Sequence, residues 1–346
     1  MTRIGFVGAG AGTAAAAYAL RGTDAEVTVL EKSGGVCGRA ATRRRGDSKY
    51  VYDYGANYVK SDDERVNALL TEDLDTAGLV DVTEPVWTFD SEGAISEGDG
   101  RDEHKWSYES GLTQIAKRLF GRTDATVHRN TRVELVRRNS DRTWSLVGDD
   151  GDEYGRFDRL VMNPPAPQTA ELLRSAEWDR DLRTDLAATA RSVSYRSIVT
   201  AVLNYDRTLR RSWYALVNVD KEHDVGWVAR EECKHGHVPE GESLLVVQMS
   251  PDWSSDHFET DPDDACSSIA DATADLLDEP HLTDPDWTDH QGWRYALPEG
   301  GADPEPIERA REYGLYFTGD WVAGEARLHA ALRNGLETGE HIADTL

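Results

Sequence analysis

The stretch RIGFVGAGAGTAAAAYAL, residues 3–20, constrains the fold more than any other part of the chain. An apolar β-type run ends in glycines and leads directly into an alanine-rich segment, which predicts a strand, a tight turn and a helix. A second β-type run, AEVTVLEKS, follows with Val27 and Val29 alternating and Glu31 at its end. That order predicts a parallel sheet whose strand ends carry a ligand. Gly8 permits the tight bend, and Gly10 lets the backbone approach a pyrophosphate. The helix start beyond them offers unpaired N–H groups and positive dipole. Thr13 stands where the pattern G-x-G-x-x-G wants its third glycine. It is small enough to keep helix and strand close, helped by Gly12 and the alanines at 14–17. Glu31 lies where an acid accepts hydrogen bonds from adenosine ribose hydroxyls, which disfavours a 2′-phosphate.

At 346 residues the chain exceeds one ordinary domain, so two are expected. No segment reads as a secretory signal or a membrane span, and the expectation is a soluble cytoplasmic protein with no membrane partner. Cys37, Cys233 and Cys266 are odd in number and widely spaced, as reduced thiols would be. Net charge is −26, from 64 acidic against 38 basic residues, which disfavours nucleic acid as a partner. The acids are scattered in short groups such as ETDPDDACSS and form no single block. We read them as adaptation to strong salt, which screens the self-repulsion of such a surface.

Helical spacing in SDDERVNALLTEDLDTAGL turns Val66, Leu69, Leu70 and Leu74 inward, and short strands with a polar turn are expected between about 80 and 105. Residues 125–163 read as short strands ending at Pro164, Pro165 and Pro167, before a helix in QTAELL. Aromatic-rich strands such as SIVTAVLNY, VGWVAR and SLLVVQMS follow, and LYFTGDWVAGEARLHAALRNG gives a strand, a glycine loop and a closing helix. The expected fold is α/β: a doubly wound Rossmann-type domain from 1–60, 106–168 and 286–346, and an α+β substrate domain on an antiparallel sheet from 61–105 and 169–285.

NAD and FAD share the opening turn, and two later segments decide between them. GGVCGRAATRRR places Arg39 where a guanidinium can pair with pyrophosphate oxygens. FTGDWVAG supplies a second glycine turn, with Gly319 and Asp320 ahead of a helix. A carboxylate for ribityl hydroxyls and a helix N-terminus for negative charge on a reduced ring suit flavin better than nicotinamide. FAD is the expected cofactor.

Gly8-x-Gly10, Glu31, GG…GRAAT, DYGANY and GDW…G resemble the FAD-dependent flavin amine oxidase group. Within it, RLVMNPPAPQTAELL, GWVAREECKHG, VVQMSPDWS, GWRYALP and LYFTGDWVAGEARLHAALRNG together resemble renalase-like proteins, in the same order and over nearly the whole chain. The resemblance implies that FAD is held by Gly8, Gly10, Gly12, Glu31, Lys32, Arg39, Gly55, Ala56, Asn57, Tyr58, Val133, Gly319, Asp320, Leu328, His329 and Ala330. It implies oxidation of a small planar substrate, a reduced nicotinamide dinucleotide or a non-standard isomer of it, with O2 as acceptor. Thr13, Asn57 and His329 depart from the family's usual residues.

Trp293 and Tyr295 would, by the same resemblance, approach the flavin as an aromatic platform, with His329 at its pyrimidine edge; core packing or helix capping is the plainer role for each. Cys233, His235 and His237 have a spacing that suggests a metal, but no second ligand group accompanies them, and none is expected. Cys37 reads either as a reactive thiol or as a small filler. Amine oxidases, isoprenoid desaturases and a non-catalytic flavin sensor are the alternatives. No G-x-S-x-G, H-E-x-x-H or P-loop is present to suggest a hydrolase or an NTPase.

Overall fold

The computed structural model describes residues 1–47, 49–99, 103–178 and 180–346. The polar turn expected over 91–104 includes Gly100, Arg101 and Asp102, which lie outside the described residues. The opening strand Thr2–Val7 pairs in parallel with Ala25–Leu30 on one side and Arg159–Met162 on the other. Thr126–His128 and Leu315–Phe317 add at the two edges, completing a five-stranded parallel sheet. Its strands are near-continuous apolar runs because both faces are covered, and Ile4, Phe6, Val29 and Val161 have no exposed surface. The order of strands reverses at Thr2–Val7, so a crevice opens at its carboxyl end and that of Arg159–Met162.

The helix Ala11–Ala19 is built almost wholly of small residues, and the closing helix Leu328–Ala343 crosses directly over it. Gly335 and Gly339, four apart and therefore on one face, meet the backbone of Gly12 and Ala16. The segment expected to be one helix over 61–79 is a short helix, Glu64–Ala68, running into a π-helical turn, Leu69–Asp73. Val66, Leu69, Leu70 and Leu74 are buried as the spacing predicts.

A second sheet of seven strands has Trp287–Pro298 and Ile95–Ser96 at its edges. Side chains alternate between its faces. Val199, Ala201, Leu203, Leu245 and Val247 face the helix Pro262–Leu277, packing with Ile269, Ala270 and Ala274. The opposite face looks back toward the first domain, and the pairing register lines up Trp227, Gln248, Thr200 and Gln291 in one row across four strands.

Two of the expected boundaries move. Trp287–Pro298, placed by the sequence in the nucleotide domain, pairs antiparallel with Tyr195–Tyr205 and belongs to the second sheet. The helices Ala166–Ser175 and Asp181–Arg191, most of which the sequence placed in the substrate domain, instead bury Ala170, Leu173, Leu182 and Leu186 with Leu160, Met162 and Phe317 of the first.

A hairpin joins the domains. In its strand Thr42–Arg45 the side chains alternate, so Arg43 and Arg45 grip the edge strand while Thr42 and Arg44 turn the other way. Arg43 donates to Asp289 Oδ1 at 2.8 Å and to Gln291 Oε1 at 2.9 Å. Arg45 donates to the Thr288 carbonyl at 3.1 Å and lies over the Trp287 ring.

Candidate active site

The opening turn is shaped by contact as much as by conformation. Gly8 takes a φ of +88°, which favours glycine. A Cβ at Gly10 would stand 2.2 Å from Asn163 Oδ1, and one at Gly12 would stand 2.9 Å from Thr318 Oγ1. Asn163 Nδ2 donates to the Thr318 carbonyl at 2.9 Å. Asn334, on the closing helix, accepts from Thr318 Oγ1 and from the Gly319 N–H, each at 3.0 Å. The first and last glycine turns therefore converge on one asparagine and are tied to one helix. No side chain caps the helix that begins at Ala11, which leaves its first N–H groups facing the crevice mouth. Thr13 is wholly buried and its hydroxyl has no partner, so the third-glycine position is filled by packing.

Glu31 is buried at the end of its strand. Oε2 accepts from the Ala9 N–H at 2.7 Å, and Oε1 accepts from the Ser33 N–H at 2.8 Å and its hydroxyl at 2.7 Å. These bonds fix the carboxylate beside the glycine turn. Lys32 is exposed, with Nζ 3.4 Å from Gln168 Oε1, and Val133 packs beside Leu30 in the core. Cys37 is buried in left-handed backbone, φ 83°, and its N–H donates to the Ala9 carbonyl at 2.8 Å. Burial pushes its thiol up to about 12, so the side chain is filler rather than a nucleophile.

Arg39 joins three segments. Its guanidinium donates to Asp320 Oδ1 at 2.7 Å and to the carbonyls of Ala296 at 2.9 Å and Tyr295 at 3.3 Å. Asp320 Oδ1 also accepts from the Trp321 N–H at 2.9 Å. His329, in the first turn of the closing helix between Leu328 and Ala330, is buried with Nε2 3.1 Å from Glu325 Oε1. On the same helix, Arg333 pairs with Asp63 at 2.9 Å.

The turn at 54–58 lies under the edge strand. Trp293 stacks on Tyr54 with ring centroids 5.4 Å apart, and its indole N–H donates to the Tyr54 carbonyl at 3.0 Å. Gln248 donates to the Gly55 carbonyl at 2.7 Å, and the Ala56 N–H donates to the Arg39 carbonyl at 3.0 Å. Asn57 Oδ1 is buried without a partner, and Tyr58 packs with Tyr214 and Trp227. Tyr295 meets Tyr195 edge-on at 5.7 Å.

Behind this turn is a fully buried ionic network. Lys234 Nζ lies 3.0 Å from Asp53 Oδ2 and 2.7 Å from Glu231 Oε1. His237 Nδ1 lies 2.7 Å from Glu231 Oε2 and its Nε2 lies 2.9 Å from the Tyr108 carbonyl. Both ring nitrogens thus face oxygen acceptors, and the ring closes the network through the Glu231 oxygen that Lys234 does not hold. Burial pushes the Asp53 carboxyl up, but Lys234, His237 and hydrogen bonds from Thr42 and Leu112 leave it lowered overall. The same acids hold Lys234 above its ordinary value against the opposing effect of burial. Asp53, Glu231 and His237 have the spacing of a metal site, with ligand atoms within 4.8 Å of one another, and the lysine ammonium stands as their cation. The residues of CKHGH diverge: Cys233 Sγ accepts from Arg230 at 2.8 Å, and His235 is exposed beside Glu109.

Residues 89–343 match the model for flavin containing amine oxidoreductases, and residues 7–72 match that for NAD(P)-binding Rossmann-like domains. The chain belongs to the flavin-containing amine oxidoreductase family. It is an FAD-dependent oxidoreductase. Solved structures similar to this flavoprotein include a provisionally named protoporphyrinogen oxidase from Exiguobacterium sp. 255-15, at 16% identity and TM-score 0.73, covering 99% of this chain and 98% of that one. Putrescine oxidase bound to putrescine matches at 14% identity and TM-score 0.74, over 99% and 98% of the two chains. Reduced UDP-galactopyranose mutase matches at 11% identity and TM-score 0.73, over 100% and 96%. At these identities the likeness is one of fold. The uncapped helix start, the close cradle around Gly10 and the fixed Glu31 carboxylate fit the adenosine and pyrophosphate part of FAD.

Asn163, Thr200, Gln248 and Asn334 were not expected from the sequence. Gln248 had a visible signal, as the lone polar side chain inside the strand SLLVVQM. Asn163 had a weaker one, directly after a parallel strand and before two prolines.

Proposed function

We propose that this flavoprotein oxidises a reduced nicotinamide dinucleotide, or a non-standard isomer of one, with O2 taking the electrons and hydrogen peroxide as product. The observation that supports this reading is the row Trp227, Gln248, Thr200 and Gln291 on the sheet face toward the first domain. Trp227, Gln248 and Gln291 are only partly buried there, so the row offers an indole and two primary amides to whatever packs against it. A flat ligand carrying both hydrogen-bond donors and acceptors answers that lining better than a lipid does. Bound FAD supplies the two-electron acceptor. The protein's own part is to orient: the Gly10 turn and Glu31 hold the adenosine half, Arg39 and Asp320 link the two domains at the crevice, and the polar row sets the substrate plane. Trp293 and Tyr295 contribute by holding the walls in place, and His329 by lining the helix start.

The test is to mix purified holoprotein with NADH containing its isomers under anaerobic conditions and follow the visible flavin absorption. We expect it to bleach and to recover when air is admitted. Absorption that stays unchanged with dinucleotides but bleaches with a diamine would overturn the reading in favour of amine oxidation.

A further inference from the structure

Three consecutive residues beside the crevice are each held through one backbone group by a side chain from the second sheet or the loop leaving it. Glu231, directly after the strand Val225–Arg230, accepts from the Asp53 N–H at 3.3 Å. Trp293, on the edge strand Trp287–Pro298, donates to the Tyr54 carbonyl at 3.0 Å. Gln248, on the strand Ser243–Met249, donates to the Gly55 carbonyl at 2.7 Å. The nucleotide domain contributes two contacts of its own, from Tyr54 N to the Ala41 carbonyl at 3.2 Å and from Ala56 N to the Arg39 carbonyl at 3.0 Å. Gly55 has no room for a side chain, because a Cβ there would stand 2.0 Å from the Arg39 carbonyl and 3.2 Å from the Trp293 ring.

We infer that Gln248 and Trp293 are positioning residues that set the 54–57 turn against the flavin from the substrate side. This rests on the reading that the turn lines the cofactor. Gln248 is the sharper case. It is a polar side chain in a strand otherwise composed of Ser243, Leu244, Leu245, Val246, Val247 and Met249, and it donates to backbone across the domain boundary. Its neighbours along the strand are apolar, whereas its amide is engaged with the backbone of the other domain. The consequence is a coupling: a substrate that packs on the row containing Gln248 also touches the group that fixes the flavin-side turn.

The experiment compares holoprotein of wild type, Gln248→Leu, Trp293→Phe and Tyr205→Phe. Trp293→Phe keeps an aromatic ring for Tyr54 to stack on and removes only the donor. Tyr205→Phe removes a buried bond of the same kind, hydroxyl to the Leu282 carbonyl at 2.7 Å, at the far end of the strand Tyr195–Tyr205. We expect the first two variants to release FAD about 10-fold faster, as befits loss of a buried hydrogen bond, and to shift the visible bands and midpoint potential of the flavin. Tyr205→Phe should lower melting temperature and leave the flavin bands where they were. Unchanged bands, potential and FAD release in Gln248→Leu and Trp293→Phe would overturn the inference, as would a shift of equal size in Tyr205→Phe. Wild-type protein that holds no FAD would remove the premise, a failure recognisable before any variant is made.

Discussion

Exchanging Lys234 for methionine is expected to remove about 3–5 kcal/mol of stability, because it leaves buried carboxylates without their nearest cation. Native domains are stable by only about 5–15 kcal/mol, so a large part of the fold's margin is at stake. Methionine fills similar length, so the loss is mainly electrostatic. Asp53 would then keep only its hydrogen bonds from Thr42, Ser107 and the Leu112 N–H. Adding Asp53→Asn should recover much of the loss, since the carboxylate that Lys234 neutralised is then replaced by a neutral amide. Urea unfolding at constant slope measures both variants and their coupling. The pH dependence has a definite sign. Asp53 is held below its ordinary value, so its contribution is full above that value and is lost as pH falls through it. Lys234 is held above its ordinary value, so its contribution is full below that value and is lost only as pH rises through the raised one. Between those limits neither group makes stability vary with pH.

Gly335→Ala is expected to destabilise by about 1–3 kcal/mol, although alanine is the better helix former by about 1 kcal/mol. The new Cβ would stand 2.2 Å from the Gly12 carbonyl oxygen and 2.8 Å from Ala15 Cβ, so backbone must move. Gly339 makes the same approach to Ala16, and the two together set the separation of the helices. Separation matters for the site. The neighbouring Asn334 ties the closing helix to the last glycine turn, and Gly12 sits at the start of the first helix. Thermal unfolding should show the loss of stability, and FAD titration should show weaker binding in the same variant. Gly35→Ala, with nothing within 4 Å of the added carbon, should change stability by no more than about 0.5 kcal/mol.

The parts of this molecule that the sequence made legible are those whose physics is local. Gly8, Gly10 and Glu31 follow from the spacing of one strand, turn, helix and strand, and Val66, Leu69, Leu70 and Leu74 from helical period. Partners brought together from far along the chain left no such mark. Trp287–Pro298 pairs with a strand some ninety positions earlier, and nothing within its own residues says which sheet it joins. TRRR shows its positive charge in sequence, whereas the strand alternation that sends Arg43 and Arg45 to the edge strand is a property of the hairpin. CKHGH drew attention for metal-binding residue types. The informative residue in it is Lys234, whose role requires Asp53 from another domain.

We propose that FAD sits in the crevice whose cradle is Gly10 against Asn163. The most direct measurement is the flavin content per chain of wild type and Gly10→Ala, purified side by side, with circular dichroism to confirm the fold of both. The added methyl would stand 2.2 Å from Asn163 Oδ1, at the point where the backbone must approach the pyrophosphate. We predict one FAD per wild-type chain and little or none in the folded variant. A folded Gly10→Ala protein with its full complement of FAD would show that the cofactor lies elsewhere.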